Sequence, residues 1–484
     1  MQTSDSAPGR LARRVFDGAL AAVDAGRAVE RAVRVEAGRL HILGDEFDLT
    51  EDGQAIYSVA LGKAAGPMAA ALDRILGGRL AGGVVSAPPL PRDLASQLSA
   101  RWRAFEGGHP LPNEASLAAA RACFDLLRRA DDEAAPVIFL VSGGGSAMVE
   151  RPRDPAITLD DLREANRVLV GCGAGITEVN AVRRAFSAVK GGKLARLAPR
   201  AAQVTLIVSD TREGEEHAVA SGPTLAPPEG RDAPDAREVV KRYNLAALLP
   251  APILSAVERP AGEETSPAPA RDERPAANES TVEALRPRNQ DTDPPGPLRR
   301  HHVLLSSAHA VERAAEVARS LGCAVEIARD IADQHVAEGA ALLVSRQLGL
   351  RARAGGASPV CLVSGGEFAC PVRGAGAGGR SSETALRCVL ELEARGLTSN
   401  TTGRGPRFAL LFAGTDGLDG NSPAAGALCD ETTSARARAL GLDPQKFLAA
   451  SDSYAFFKAL GDAIFTGHTG ANVRDLRVLV SSEQ

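Results

Sequence analysis

Short apolar runs alternate with amphipathic stretches along most of the chain. Three early runs, AIYSVAL, VIFLVSG and VTLIVSD, have the length and the β-branched content of buried strands. The stretch AAGPMAAALDRIL, which follows the first of them, has the spacing of a helix with one apolar face. Strands that alternate with helices are typical of α/β folds with mostly parallel sheets. The pattern therefore predicts an α/β domain in the first half of the chain.

The same pattern begins again near residue 302. Its apolar runs are HVLLSS, CAVEIA, VCLVSGG and FALLFAG, and its amphipathic stretches are AHAVERAAEVARSLG and AEGAALLVSRQLGL. This repetition predicts a second α/β domain, again with mostly parallel strands. The segment EFACPVRG, which follows the run VCLVSGG, predicts a hairpin.

Residues 259–300 differ in composition from both halves. They are rich in Pro, Arg, Glu, Asp and Ala and have almost no apolar periodicity. Such a segment cannot bury enough apolar surface to offset the entropy lost on ordering. We therefore predict an N-terminal domain over residues 1–258, a disordered linker or surface insert over 259–300, and a C-terminal domain over 301–484. A length of 484 residues agrees with two large domains.

The overall composition is that of a water-soluble globular protein, with 44% hydrophobic and 24% charged residues. A net charge of −4 and dispersed basic residues leave no electrostatic footprint for nucleic acid or an anionic membrane. No apolar stretch is long enough to span a bilayer. The seven cysteines include no C-x-x-C pair, which indicates reduced thiols. We expect a cytoplasmic protein that acts on small molecules.

Nearly every predicted strand ends in a turn rich in Gly, Ser, Thr or Asp. In open α/β sheets the ligand crevice lies beyond the carboxyl ends of the strands, where glycine lets the backbone approach a ligand and N–H groups bind anions. We expect these turns to hold phosphate groups, although SGGGSA could instead be a tight connection without a ligand. The turns are Gly62-Lys63-Ala64, Ser142-Gly143-Gly144-Gly145-Ser146, Ser209-Asp210-Thr211, Ser364-Gly365-Gly366-Glu367 and Gly414-Thr415-Asp416-Gly417.

Two basic residues stand beside glycine-rich turns. Lys63 is one of only six lysines in a chain that otherwise uses arginine, so a compact ammonium at this turn is unlike ordinary surface charge. Arg380 follows GAGAGG and could form bidentate hydrogen bonds with a phosphate, or be a solvated surface residue. The GAGAGG string satisfies G-x-G-x-x-G, but it follows the predicted hairpin, which argues against dinucleotide binding. Neither a P-loop nor a protein-kinase signature set occurs.

Other polar residues leave their roles open. Asp416 and Asp419 could bind a divalent cation or cap their turn, and the spacing does not decide between these roles. His109, between two glycines and a proline, favours a structural role over a catalytic one. No His/Cys cluster has the spacing of a zinc site.

Nine strings of the sequence, taken in order, resemble the glycerate 2-kinases whose C-terminal part is the MOFRL domain. They are VALGKAAGPMA, GGHPLPNEAS, LVSGGGSA, NAVRRAFSAVKGGKLA, VSD with ASGPT, VSGGE with GAGAGGR, AGTDGLDGNSPAAGA, DSYAFF and TGHTGANVRDL. The resemblance covers nearly the whole chain. It implies an N-terminal Rossmann-like domain and a C-terminal MOFRL domain that face each other across a cleft.

The resemblance also implies the reaction, in which ATP and a divalent cation serve the phosphorylation of D-glycerate at its 2-hydroxyl group. By the same resemblance, Lys63, Asp210 and Arg380 are implicated in catalysis. Lys63 and Arg380 would grip the phosphoryl group or the glycerate carboxylate. Asp210 would orient or deprotonate the hydroxyl, or else bind Mg²⁺, with Asp416 as the alternative metal ligand. The expected substrate-binding and nucleotide-binding residues are Ser142, Gly143, Gly144, Gly145, Ser146, Glu367 and Asp416.

Some positions depart from the family pattern. Ser381-Ser382 follows Arg380 where the family commonly has Asn-Gln, Thr211-Arg212 replaces a usual Val-Pro, and His468 stands where Pro is common. The first departure could alter contacts with substrate or nucleotide. An NAD(P)-dependent hydroxypyruvate reductase and a non-catalytic sensor of a phosphorylated metabolite are the alternative functions, and a homodimer is left open.

Overall fold

The computed structural model describes residues 3, 6–48, 55–226, 234–259, 297–355, 359–398 and 406–483. Residues 260–296, most of the predicted linker, lie outside the described residues. The first part of the described chain contains α1 (Ala7–Ala22), α2 (Ala25–Ala32), β1 (Val33–Glu36), β2 (Arg39–Ile42), β3 (Asp45–Asp48), β4 (Ile56–Leu61), α3 (Ala65–Leu76), β5 (Leu80–Ala87), α4 (Arg92–Ala95), β6 (Trp102–Glu106), α5 (Glu114–Asp132), β7 (Val137–Ser142), α6 (Gly145–Met148), α7 (Leu159–Gly171), α8 (Ile176–Phe186), β8 (Gln203–Val208), α9 (Ala236–Arg242), α10 (Ala251–Glu258) and β9 (Arg299–Leu305).

The second part carries the remaining elements. They are α11 (Ser307–Ser320), β10 (Ala324–Ile327), α12 (Val336–Arg353), β11 (Val360–Gly366), α13 (Arg380–Ala394), β12 (Arg407–Gly414), β13 (Gly426–Cys429), α14 (Thr433–Ala439), α15 (Pro444–Ala449), α16 (Ser453–Leu460), β14 (Ala463–Ile464) and β15 (Asp475–Ser482). Short 3₁₀ turns lie at Gly77–Arg79, Ala195–Leu197, Glu216–Ser221 and Leu245–Ala247.

The first large sheet has six parallel strands in the order β6-β5-β4-β7-β8-β9. Every residue of β4, β7 and β8 is buried, because helices cover both faces of the sheet. The strand order reverses between β4 and β7, and ligands bind at such a switch point in doubly wound sheets. The turns after β4 and β7 are two of the five predicted glycine-rich turns, so the fold places these two at the expected crevice. The strands and helix predicted in this half are confirmed.

The second large sheet has the order β10-β11-β15-β12-β13-β14. Only β10 and β11 are parallel, and the other four pairs are antiparallel. The expectation of mostly parallel strands is therefore wrong for this sheet. The last strand, β15, lies between β11 and β12 and is antiparallel to both. Its apolar run resembles that of a buried parallel strand because helices also cover both faces of this sheet.

The predicted hairpin at EFACPVRG is also wrong. Among the described residues this segment forms a single bridge, between Ala369 and His335, and otherwise runs as irregular chain. Pro371 has no N–H group to give to a strand ladder, which explains why regular pairing stops there.

Each half of the chain contributes an element to the other. Strand β9 crosses the predicted boundary at residue 301 and pairs with β8 in the first sheet. Helix α1 packs on α11, β12 and β15 of the second sheet, through a buried stripe of Ala12, Val15, Phe16 and Ala19. None of the described helices combines the length and apolar content needed to cross a membrane.

Candidate functional site

The site forms where one edge of the first sheet meets one edge of the second. Lys63 Nζ lies 2.7 Å from Asp416 Oδ2, and Asn472 Nδ2 donates to Asp210 Oδ2 at 3.0 Å. Both contacts join the two sheets. Asn472 precedes β15, and because β15 runs antiparallel to its neighbours, its amino end lies at the carboxyl ends of β11 and β12. The cleft is therefore lined by the turns after five strands, β4, β7, β8, β11 and β12, and by the segment before a sixth, β15.

The turn after β4 fixes Lys63. Gly62 has a φ of 110°, and a Cβ atom there would lie 2.3 Å from the carbonyl oxygen of Ser142. Only glycine fits this position. The backbone N–H of Lys63 then donates to the carbonyl of Gly143 at 2.9 Å, which ties the two glycine turns together. The Lys63 ammonium consequently projects into the cleft, where its side chain is 24% exposed.

The SGGGSA turn is built tightly against Asp210. A Cβ atom at Gly143 would lie 1.8 Å from Asp210 Oδ2, and Gly144, with a φ of 83°, faces Lys63 and His109. Ser142 accepts a hydrogen bond from the N–H of Ala64 at 3.0 Å and donates to the Leu61 carbonyl at 3.2 Å. Its hydroxyl is thus engaged within the protein. Helix α6 after the turn has only four residues, so backbone N–H groups, rather than a long helix dipole, are the anion donors that this turn offers.

A buried ion pair supports the same turn from behind. Lys190 Nζ donates to the carbonyl of Ser146 at 2.9 Å and pairs with Glu150, and both charged side chains are 2% exposed. The Ser146 hydroxyl contacts that of Ser221 at 2.9 Å. Lys190 and Glu150 were not among the predicted site residues, although Lys190 lies in a string that carried the resemblance. Their position indicates a supporting role for the backbone of the turn.

Asp210 is able to take up a proton. Burial raises the pKa of its carboxyl above the ordinary value for aspartate, while the charge of Lys63 and the hydrogen bond from Asn472 oppose that rise. Partial burial and the charge of Lys63 lower the pKa of His109 to about 4, so its imidazole is neutral near pH 7.

Arg380 is held between two carboxylates. Its Nη2 donates to Glu367 Oε1 at 2.7 Å and its Nε to Asp475 Oδ2 at 2.9 Å. Burial acts to lower the pKa of Arg380, but Asp475 and Glu367 raise it, so the group stays charged. Burial raises the pKa of Glu367 to about 7, against the opposing charge of Arg380. The guanidinium is oriented and 37% exposed to the cleft.

The glycines before Arg380 serve packing within the protein. Cβ atoms at Gly374, Gly376, Gly378 and Gly379 would each come within 2.5 Å of the chain, at Ala450, Asp452, Ser453 and Asp419 respectively. Arg380 is the first residue of α13, so its backbone is fixed by the helix. Two other segments, at residues 419 and 450–453, enclose the preceding loop.

Asp419 caps the start of α13. Its carboxylate accepts from the N–H groups of Gly379, Ser381 and Ser382 at 3.1, 2.9 and 2.8 Å, and its side chain is buried. Burial raises the pKa of Asp419 to about 6, although these hydrogen bonds oppose the rise. Of the two roles left open for Asp419, the structure supports capping. Asp419 caps α13, which lies about 40 residues earlier in the chain, and not its own turn.

With this geometry established, the chain was compared with known proteins. Residues 11–258 match the domain of unknown function DUF4147, and residues 360–475 match the MOFRL family. A human glycerate kinase is 34% identical over 509 residues, with 98% of this chain and 94% of the human protein covered. A glycerate 2-kinase of Pyrococcus horikoshii is 32% identical, with 96% of each chain covered. The chain belongs to the glycerate kinase family.

Two further comparisons bear on this member of the glycerate kinase family. The crystal structure of a glycerate kinase from Thermotoga maritima has a TM-score of 0.71 and 26% identity, with 98% of this chain and 99% of that chain covered. A protein of Agrobacterium vitis named "Putative hydroxypyruvate reductase" is 34% identical over 433 residues, with 87% of this chain and 98% of that protein covered.

The structure of this glycerate kinase family member does not assemble a dedicated metal site from Asp210 and Asp416. Within the described residues, no group of three His, Cys, Asp or Glu side chains could hold a metal ion. Asp210 is engaged by the amide of Asn472, and Asp416 by the ammonium of Lys63. The predicted metal ligands are therefore bonded to other protein groups in this conformation.

Sequence reasoning missed the residues at the start of β15 and just before it. Asn472 binds Asp210, Arg474 pairs with Asp333, and Asp475 holds Arg380. All three lie in the string TGHTGANVRDL, which carried the resemblance, but no strand end precedes them in the sequence. They could have been found only by placing β15 antiparallel in the middle of the second sheet.

Proposed function

We propose that this protein transfers the γ-phosphoryl group of ATP to the 2-hydroxyl group of D-glycerate, giving 2-phosphoglycerate and ADP. The observation that carries the proposal is the contact of Lys63 and Asp210, from the first sheet, with Asp416 and Asn472 from the second. Arg380 is held beside them by Asp475, three residues after Asn472. Phosphoryl transfer needs cations around the γ-phosphoryl group and a group that orients the attacking hydroxyl. The cleft has both.

The chain's own residues account for each part of the step. Asp210 accepts the proton of the 2-hydroxyl group as its oxygen attacks the γ-phosphorus. The bond from that phosphorus to the oxygen bridging it to the β-phosphorus breaks, and ADP leaves with the bonding electron pair. Lys63 and Arg380 stabilise the negative charge spread over the transferred group. Backbone N–H groups of Gly143, Gly144 and Gly145 add hydrogen bonds to phosphate oxygens.

Lys63 must leave Asp416 before it can bind the transferred phosphoryl group. In the structure its ammonium pairs with Asp416, which leaves each charge neutralised by the other. A polyphosphate would compete for Lys63 and free the Asp416 carboxylate. Magnesium would enter bound to ATP, because Mg²⁺ usually keeps water ligands and takes one or two carboxylates beside the substrate phosphates. Asp416, once released from Lys63, would supply such a carboxylate.

A hydroxypyruvate reductase is the second candidate, favoured by the name of the Agrobacterium relative. The glycines of GAGAGG would have to cradle a dinucleotide phosphate, yet they pack against residues 419 and 450–453 and do not directly follow a strand. A direct comparison separates the two candidates. We expect ADP to form from D-glycerate and MgATP, with no oxidation of NADH or NADPH by hydroxypyruvate, and the opposite pair of results would refute the kinase proposal.

A cytoplasmic location and a homodimer belong to the same proposal. Light scattering during size-exclusion chromatography would give the mass of the assembly, which the dimer proposal puts near twice the 50.1 kDa of one chain.

A further inference from the structure

Arg474 occupies an unusual backbone position beside the cleft. Its φ is 71°, in the left-handed region that non-glycine residues seldom adopt. Its carbonyl oxygen accepts hydrogen bonds from the N–H of Thr415 at 3.1 Å and from the Thr415 hydroxyl at 2.7 Å. The residue is thereby clamped to the turn that carries Asp416, and the left-handed conformation is maintained by the surrounding structure.

The Arg474 guanidinium is buried but incompletely bonded. The side chain is 11% exposed, and its Nη2 donates to Asp333. Its Nε is buried and has no hydrogen-bond partner among the described residues. Buried donors are nearly always paired, and an arginine N–H left without a partner is costly. The described residues therefore leave part of the hydrogen-bonding capacity of this guanidinium unused.

Arg474 also lies near two of the carboxylates that line the cleft, Asp210 and Glu367. It is two residues from Asn472, whose amide binds Asp210, and next to Asp475, which holds Arg380. Its positive charge opposes the rise in the pKa of Asp210 and in that of Glu367. The charge of Arg474 therefore acts at the place where the acceptor's hydroxyl group would lose its proton.

Resting on the proposed function, we propose that Arg474 binds the carboxylate of the acceptor through its guanidinium group. In a 2-hydroxy acid the carboxylate is attached to the carbon that bears the reacting hydroxyl. The cation that binds this carboxylate must then lie beside the group that takes the proton, Asp210. Arginine suits the task because its planar fork matches carboxylate oxygens. Lys63 and Arg380 are then left for the phosphoryl group.

Asp333 is the positioning residue for Arg474. Its carboxylate accepts from Arg474, from Arg212 Nε at 2.7 Å and from the N–H of Glu367 at 3.3 Å. Arg212 comes from the turn after β8 and its side chain is 61% exposed, whereas Arg474 is buried. The two arginines share one partner but differ in burial, so Arg212→Gln is a matched control for Arg474→Gln.

The test is steady-state kinetics with both substrates varied. Hydrogen bonds to charged groups predict that Arg474→Gln raises the KM for D-glycerate roughly 10- to 100-fold. We expect the KM for MgATP to change by less than about twofold, because the loss of a contact with D-glycerate raises the KM for D-glycerate alone. Arg474→Lys should keep part of the affinity, and Arg212→Gln should leave both KM values near those of the wild type. Circular dichroism and the Tm establish that each variant is folded.

Two results would overturn the inference. If folded Arg474→Gln keeps the wild-type KM for D-glycerate, or if its KM for MgATP rises equally, Arg474 does not bind the acceptor carboxylate. Should Arg474→Gln not fold, calorimetric titration of D-glycerate into Arg474→Lys and wild type decides the matter, because equal affinities would refute the proposal. A wild-type protein that phosphorylates no glycerate removes the proposed function itself, whereas the results above leave it intact.

Discussion

Lys63 reaches the cleft because of two glycines on different turns. Gly62 takes a left-handed conformation against Ser142, and Gly143 leaves room for Asp210 and Asn472 where any side chain would collide. The ammonium then meets Asp416 at 2.7 Å. The backbone of Lys63 is fixed by this turn, so no neighbouring residue can take its place. Replacing Lys63 should therefore affect activity much more than replacing a surface cation.

Lys63→Ala should lower kcat/KM for phosphoryl transfer by about 100- to 1,000-fold, because a fixed cation at a developing negative charge acts mainly in the transition state. Lys63→Arg should also be strongly impaired, since the wider guanidinium does not fit a turn built for a compact ammonium. Lys241→Ala, at an exposed position on α9, is the control and should have wild-type rates. Wild-type turnover by Lys63→Arg would exclude Lys63 from the active site.

Asp210 should control the acidic side of the pH–rate profile. Its pKa is raised by burial, and as a base it works only when deprotonated, so kcat/KM should rise with pH through a pKa above about 3.9, the ordinary value for aspartate. Glu367, whose pKa is raised to about 7, could also produce such a limb. The Glu367→Gln variant distinguishes Asp210 from Glu367 as the group that titrates. We expect this variant to be less active but to keep the acidic limb of its pH–rate profile. Loss of the limb in that variant would assign the titration to Glu367 instead.

Helix α13 presents Arg380 as its first residue, and Asp419 from another turn holds that end in place. Residues 374–379 pack so closely on residues 419 and 450–453 that the position of Arg380 is set by three separate segments. The orientation of Arg380 therefore depends on where α13 begins and on the Asp419 cap that fixes this helix end.

Asp419→Ala should lower the free energy of unfolding by about 2–4 kcal/mol, because it removes an N-terminal cap and leaves buried N–H donors without partners. It should also reduce kcat through misplacement of Arg380. Asp443→Ala removes the exposed cap of α15, whose side chain accepts from Gln445 at 3.0 Å, and should cost about 0.5–1 kcal/mol with kcat unchanged. Urea denaturation and initial rates on both variants check this, and equal effects in the two would contradict the assignment.

Which elements could be predicted depended on what the local sequence encodes. Apolar runs located β4, β7, β8 and β9 of the first sheet and β10, β11 and β12 of the second, and the carboxyl ends of β4, β7 and β8 led to Lys63, the SGGGSA turn and Asp210. The run that forms β15 was not predicted as a strand, and its antiparallel direction is not encoded locally because both of its faces are buried. Asn472, Arg474 and Asp475 were missed with it, because their place in the cleft follows only from that strand's direction.

At the scale of the whole molecule, each half of the chain supplies an element to the sheet of the other half. Strand β9, after the predicted linker, completes the first sheet along β8, and α1 buries its apolar stripe against the second. Composition could indicate two sheets, but it could not show which sheet the flanking elements join. The division of the chain at residues 258 and 301 stays a prediction.

Fragments of the chain test whether the first sheet needs β9 and whether α1 needs the second sheet. Residues 1–258 lack β9, which would expose the edge of β8, and they leave the apolar face of α1 uncovered. We expect this fragment to aggregate, whereas residues 23–305 should be more soluble and more resistant to urea. Light scattering and urea denaturation measure the difference. A monomeric 1–258 fragment as stable as 23–305 would show that the exchanged elements are not needed.

The central claim is that the two sheets together form a kinase site that phosphorylates glycerate at O2. The most direct test is to incubate the purified protein with D-glycerate, ATP and magnesium and to record phosphorus–proton correlation NMR spectra of the product. We predict one new phosphomonoester whose phosphorus couples to the single proton on C2, formed in equal amount with ADP. Coupling to the two C3 protons, or ADP release without a phosphorylated glycerate, would contradict it.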